Sequence, residues 1–212
     1  CAALTDFDLA DTATVEVLVY PFELERRQSI LSREIGGSNV FDLFIEAGAF
    51  YLAINGETQE LGPASMGYKH ISLALNSGEG SVAYYLNGEL EKTLGYSNLS
   101  GNWEGSPWLV AAKGTVDQQS DHFTGLLDEV AFYDTTLTQA TIQLNSSPVM
   151  GAGTDVGNPY LNSYFPFNEG DGDELTDFGP SLTGVGTLKN GNYSTITFRQ
   201  ETRPHEYIPS AR

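Results

Sequence analysis

The sequence predicts an antiparallel β-sandwich, a jelly roll of two packed sheets carrying one short helix. Three observations lead there. Strand-like segments recur at short spacing and several alternate apolar with polar residues, which puts one face on a core and the other in water. Gly, Asn and Pro turns separate them, and no segment before residue 135 keeps a helical period. The composition agrees: 40% of residues are hydrophobic, and Phe and Tyr supply 11 each.

The elements follow in order. TVEVLVYP (14–21) and SILSRE (29–34) come first, and GGSN then turns the chain into VFDLFIEA (40–47). AFYLAING (49–56) ends in an NGE turn. KHISLALN (69–76) passes through NSGEG into SVAYYLNGEL (81–90), which contains a second NGE, and GNWEGSP precedes WLVAAK (108–113). In TTLTQATIQ (135–143), Thr136 or Thr138 caps a short helix at about 136–143 with Leu137, Ala140 and Ile142 on one side. SSPVMGAGTDVGNP (146–159) has linker chemistry, and a strand restarts at YLNSYFPF. The expected organisation is a body over 1–145, a linker over 146–159 and a C-terminal segment over 160–212.

Twenty-eight acids face ten bases for a net charge of −18, which disfavours nucleic acid as a partner. No apolar run approaches the roughly 20 residues that span a bilayer. Residues 189–212 hold Lys189, Arg199, Arg203 and Arg212 against Glu201 and Glu206, so the tail is +2 and the rest −20. The acidity suits solubility or, more sharply, divalent cation binding. Cys1 has no internal partner for a disulfide. A first-position cysteine also bears the lipid of a mature bacterial lipoprotein, but CAAL runs straight into a strand pattern, which favours Cys1 as a small apolar strand residue.

The string DHFTGLLDEVAFYDTTLTQATI (121–142) resembles the signature that closes laminin-G-like, concanavalin A-like jelly rolls. It matches at Phe123, Gly125, Leu127, Asp128, Glu129, Val130, Phe132, Tyr133, Leu137, Thr138 and Ile142. KHISLALNSGEGSVAYYLNGEL is similar to the family's central strand pair. TVEVLVYP is similar to another of its strands, with Leu18 in place of the usual Trp. The resemblance covers about 1–142 and implies the fold; it specifies no function. YLNSYFPFNEGDGDELTDFGPSLTGVGTL (160–188) is similar to the family's opening strand and loop, here displaced behind the body. It either folds back to complete its own sandwich, begins a further module, or is exchanged between subunits.

Sugar-cleaving relatives place carboxylates at E-x-D-x-x-E, a spacing also found at Glu169, Asp171 and Glu174. Such chemistry needs two carboxylates roughly 5–5.5 Å apart on a rigid strand. Gly170 and Gly172 occupy the positions such a strand buries, so a glycanase is disfavoured and no catalytic residue is assigned. The resemblance implies one Ca2+ ion, with Asp177, Asp171 or Asp173, and Asp121 or Asp128 at matching positions. The competing reading has Asp128 and Glu129 hydrogen-bonding backbone while the loop acids are simply hydrated; DFGPSLTG also lacks the family's usual Asn. His70 reads as a satisfied core or edge histidine rather than a ligand. Trp103, Trp108 and Tyr85 are the candidate sugar-stacking rings, since Tyr84 and Tyr85 cannot both face inward.

The leading expectation is a non-catalytic extracellular or cell-surface structural module that assembles with copies of itself. Tyr164, Phe165 and Phe167 fill a neighbour's open groove, and Arg199 and Arg203 dock on its acidic body. A calcium-dependent, glycan-binding module is the second reading and a glycanase the third.

Overall fold

The computed structural model describes residues 1–5, 8–99, 106–146, 154–167, 173–180 and 184–188. The body strands are β1 (Ala2–Thr5), β2 (Thr12–Pro21), β3 (Gln28–Ile35), β4 (Ser38–Glu46), β5 (Ala49–Ile54), β6 (Glu57–Pro63), β7 (Lys69–Asn76), β8 (Ser81–Leu86), β9 (Glu89–Gly95), β10 (Trp108–Val110) and β13 (Gly125–Tyr133). A small ribbon, β11 (Lys113–Gly114) with β12 (Gln119–Ser120), interrupts them. Helix α1 (Gln139–Ser146) follows, then β14 (Leu161–Phe165), β15 (Glu174–Thr176) and β16 (Val185–Leu188).

These strands form two antiparallel sheets. One has eight strands in the order β15-β16-β1-β10-β3-β4-β5-β6, and the other six in the order β14-β13-β2-β7-β8-β9. Alternation decides what lies between them. Val15, Val17 and Val19 of β2 and Ile71, Leu73 and Leu75 of β7 meet Phe41, Leu43 and Ile45 of β4 in one continuous core. The opposite residues of β2 and β7, including Glu16, His70 and Ser72, point to the other face of the six-stranded sheet. Two hairpins turn on Asn55-Gly56 and Asn87-Gly88, where both residues of each pair take positive φ, the geometry that Asn-Gly favours.

Helix α1 begins three residues later than the sequence suggests. Thr138 is the cap, its Oγ1 accepting the N–H of Thr141, and Ile142 is the residue fully buried. Leu137 and Ile142 pack with Ala131, Tyr133, Leu161 and Tyr164 in a second apolar cluster, which Tyr85 borders. Three edge strands, β6, β9 and β15, are not separate elements in the sequence reading. In β6 Leu61 is the one fully buried residue, and in β9 it is Leu94, so neither carries an apolar periodicity to read.

The C-terminal segment closes its own chain. β14 pairs antiparallel with β13, with Val130 opposite Phe165, and β16 pairs with β1, with Ala2 opposite Leu188 and Thr5 opposite Val185. Phe165 and Phe167 sit in the inter-sheet core, and Tyr164 lies in the second cluster. Tyr164, Phe165 and Phe167, expected to fill a neighbour's groove, here occupy the groove of their own chain. Ser146 and Thr154 are eight residues apart, a reach of roughly 26–29 Å, and so short a tether holds the segment beside its own groove at an effective concentration near the millimolar range. Arg199 and Arg203 lie outside the described residues.

Candidate functional site

At the end of the sandwich where β2 finishes and β7 begins, the chain leaves large apolar groups in water. Phe22 is 53% exposed, Met66 53% and Tyr68 48%, while Tyr20 is half-buried among them. The rings are ordered. Tyr20 meets Phe22 edge-on at 5.7 Å between centroids and Tyr68 at 5.0 Å, with interplanar angles of 70° and 83°. Hydrogen bonds to backbone carbonyls hold the rim in place: Phe22 N–H donates to Thr124 O, and the Lys69 side chain donates through Nζ to the carbonyls of Met66 and Tyr68.

Fixed polar groups continue the same loop beyond Phe22. Arg26 donates through Nη2 to Thr124 Oγ1 and to His122 O, and its Nε lies 3.4 Å from Glu23. Gln28 braces the same loop, its Oε1 accepting the Thr124 N–H and its Nε2 donating to Glu23 O. Next along the surface, Arg27 lies 3.6 Å over the Phe44 ring and contacts Asp42, Asp121 and Glu46 at 2.8, 3.3 and 3.4 Å. Phe44 in turn stacks on Tyr51. Asp42 is fully buried; desolvation pushes its carboxyl up, opposed by the Ser29 hydrogen bond and the charges of Arg27 and Lys113. Apolar ring edges beside a braced guanidinium and carboxylate can stack on a pyranose and hydrogen-bond its hydroxyls.

The residues singled out from the sequence scatter. Trp108, expected as a stacking ring, is fully buried against Phe41 and Phe132 with the Arg33 guanidinium 5.2 Å over it. Its strand β10 is paired on both edges, to β1 and β3, and all three of its residues are buried, so no ligand reaches the indole. Tyr84 turns into the inter-sheet core and Tyr85 borders the α1 cluster. Trp103 and Asp171 lie outside the described residues. Asp121 pairs with Arg27, and Asp128 accepts the Glu129 N–H at a bulge where Glu129 has φ 53°. Asp173 is exposed. Asp177 is buried and accepts three backbone N–H groups. Among the described residues no three His, Cys, Asp or Glu side chains come close enough together to hold a metal. The described carboxylates therefore do not fit the calcium site that the resemblance implies.

Beneath α1 lies a buried polar set. Glu16 accepts from Ser72 Oγ and Asn145 Nδ2, and Asn145 also donates to Tyr133 OH. Burial raises Glu16 to about 7 and lowers His70 to about 4. His70 is buried as expected but not satisfied: Nδ1 has no hydrogen-bond partner, and Nε2 stands 4.0 Å from Glu16.

A family model described as the concanavalin A-like lectin/glucanases superfamily matches residues 2–143. The chain belongs to this superfamily. No curated protein sequence matches. Among solved structures, this concanavalin A-like domain is similar to a Bacteroides ovatus protein provisionally assigned to carbohydrate binding, at TM-score 0.67 and 16% identity over 90% of the chain. It spans 56% of that protein's length. It is also similar to a heptameric SAP-like pentraxin of Limulus polyphemus, at TM-score 0.60 and 14% identity over 89% of each chain. A third likeness is the CBM40 of a Ruminococcus gnavus IT-sialidase bound to α2,3-sialyllactose, at TM-score 0.54 and 15% identity over 69% of this chain and 95% of that one. At such identities the likenesses show the fold alone. The aromatic rim of the domain escaped the sequence reading. Its one signal is YPF at a strand end together with MGY in a loop, where Phe22, Met66 and Tyr68 are left exposed.

Proposed function

We propose that this chain is a non-catalytic carbohydrate-binding module of the cell surface or extracellular space. The observation that carries the reading is the ordered, half-exposed aromatic rim of Tyr20, Phe22 and Tyr68, with the Glu23–Arg26 pair on the loop that continues from Phe22. Exposed rings normally cost solubility, and rings fixed edge to face beside polar groups suit the mixed apolar and hydroxylated faces of a sugar. Of the E-x-D-x-x-E acids, only Glu174 is described, exposed on the outermost strand of the eight-stranded sheet, a poor place for paired-carboxylate chemistry.

A glycan array followed by calorimetry on its best hit tests this. Phe22→Ala and Tyr68→Ala are each expected to weaken binding roughly tenfold, about 1.4 kcal/mol, with the thermal transition preserved. Unchanged affinity in both variants, or loss only in Trp103→Ala, removes the rim from consideration. With the sandwich groove filled by its own strands, the module is proposed to act as a monomer. Light scattering should give a mass near 23.0 kDa at all concentrations, whereas a concentration-dependent dimer would revive strand exchange between copies.

A further inference from the structure

We infer that the corner joining β14 to β15 and β16 is closed by the Asp177 carboxylate acting as an anionic hub, and that this domain needs no calcium ion there. Asp177 Oδ1 accepts the N–H of Tyr164 at 2.8 Å and of Gly179 at 2.7 Å, and Oδ2 accepts the N–H of Gly184 at 3.0 Å. The Phe178 N–H completes the ring by donating to Tyr164 O. The polarity is the reverse of a calcium loop. Calcium gathers six to eight oxygens around a positive centre, whereas this corner turns amide hydrogens inward on a negative one. Among the described residues, three of the roughly four acceptor positions of the carboxylate are filled.

The backbone is shaped for this hub. A Cβ on Gly179 would lie 2.5 Å from Asn162 O and 2.9 Å from Ser163 Cα, and one on Gly184 would collide with Asp177 Oδ2 itself. Both amides reach the carboxylate because glycine permits the approach. Oxygens elsewhere are engaged too: Asp121 Oδ2 with Arg27, and Asp128 Oδ1 with the Glu129 N–H. The hub ties together the two pieces that close the sandwich, since Tyr164 stands on the edge strand of one sheet while Gly184 directly precedes β16 of the other.

Thermal unfolding of the unmodified chain in EDTA and then in millimolar calcium gives the first test, and it is independent of glycan binding. The two midpoints are expected to coincide. A calcium ion bound at a hundredfold excess over its Kd would raise Tm by roughly 5–10 °C for a chain of this size, and a rise of that order overturns the inference. Amide hydrogen exchange gives the second. In D177N the Tyr164, Gly179 and Gly184 amides should exchange at least tenfold faster while those of β2 and β7 keep their protection; unchanged exchange at all three sites also overturns it. Should D177N fail to fold, the calcium comparison on the unmodified chain still decides.

Discussion

His70→Leu and Glu16→Gln are expected to tilt the pH dependence of stability in opposite directions, each by about 3 kcal/mol. Glu16 is raised to about 7 in the folded chain from an ordinary 4.5. Alone in H70L, it contributes stability that is full below pH 4.5 and lost as pH rises to 7. His70 is lowered to about 4 from 6.5. Alone in E16Q, it contributes stability that is full above pH 6.5 and lost as pH falls to 4. In the wild type the two cancel between pH 4.5 and 6.5: the unfolded chain carries the proton on His70, the folded chain on Glu16, and the count is equal. The pair is neutral rather than ionic because an imidazolium would bury an Nδ1–H with no acceptor, and its Nε2 is too far from Glu16 for a hydrogen bond. Urea unfolding at half-unit pH steps, each variant referenced to wild type, measures this. Two variants that simply parallel the wild-type curve would show that the proton does not change residue on folding.

Ending the chain after residue 153 is expected to abolish cooperative folding. The cut removes one edge strand from the six-stranded sheet and two from the eight-stranded one, together with the buried Phe165, Phe167 and Leu175. It leaves backbone donors and acceptors of β1 and β13 exposed. Phe165→Ala, a smaller insult at a fully buried ring, should cost about 3–5 kcal/mol. Circular dichroism and thermal melting report both, and adding a peptide of residues 154–188 should restore the transition of the shortened chain. A shortened chain that melts as the intact one does would mean these strands only decorate the fold.

Most of the sandwich was legible because its central strands obey one rule. β2 and β7 largely alternate, from Ala13 to Val19 and from His70 to Leu75, so the strand and its buried face appear together in the sequence, whereas β4 reads as an apolar run interrupted by Asp42. The outer strands β6 and β9 follow no such rule, having one core residue each. Trp108 shows another limit, since a Trp after a Gly-rich loop reads alike whether the strand it opens lies at an edge or in the middle of a sheet. Asp177 was singled out for its carboxylate, but local sequence does not tell which partners will converge on it. Those amides come from Tyr164, Gly179 and Gly184, and backbone groups carry no residue signature. The rim was missed for a similar reason: Tyr20 and Tyr68 belong to segments 48 residues apart, and only the pairing of β2 with β7 brings them together.

The pairing of Ala2 with Leu188 also has a cost in time. Emerging from the ribosome at about 5–20 residues per second, the 42 residues after Ser146 need roughly 2–8 s to appear. During that interval the strands already made must wait with their seam open. Long-range closure of this kind is slow by nature, so the nascent chain passes through a window in which another unfinished copy, or a chaperone, meets the bare edges of β1 and β13 before its own last strands arrive.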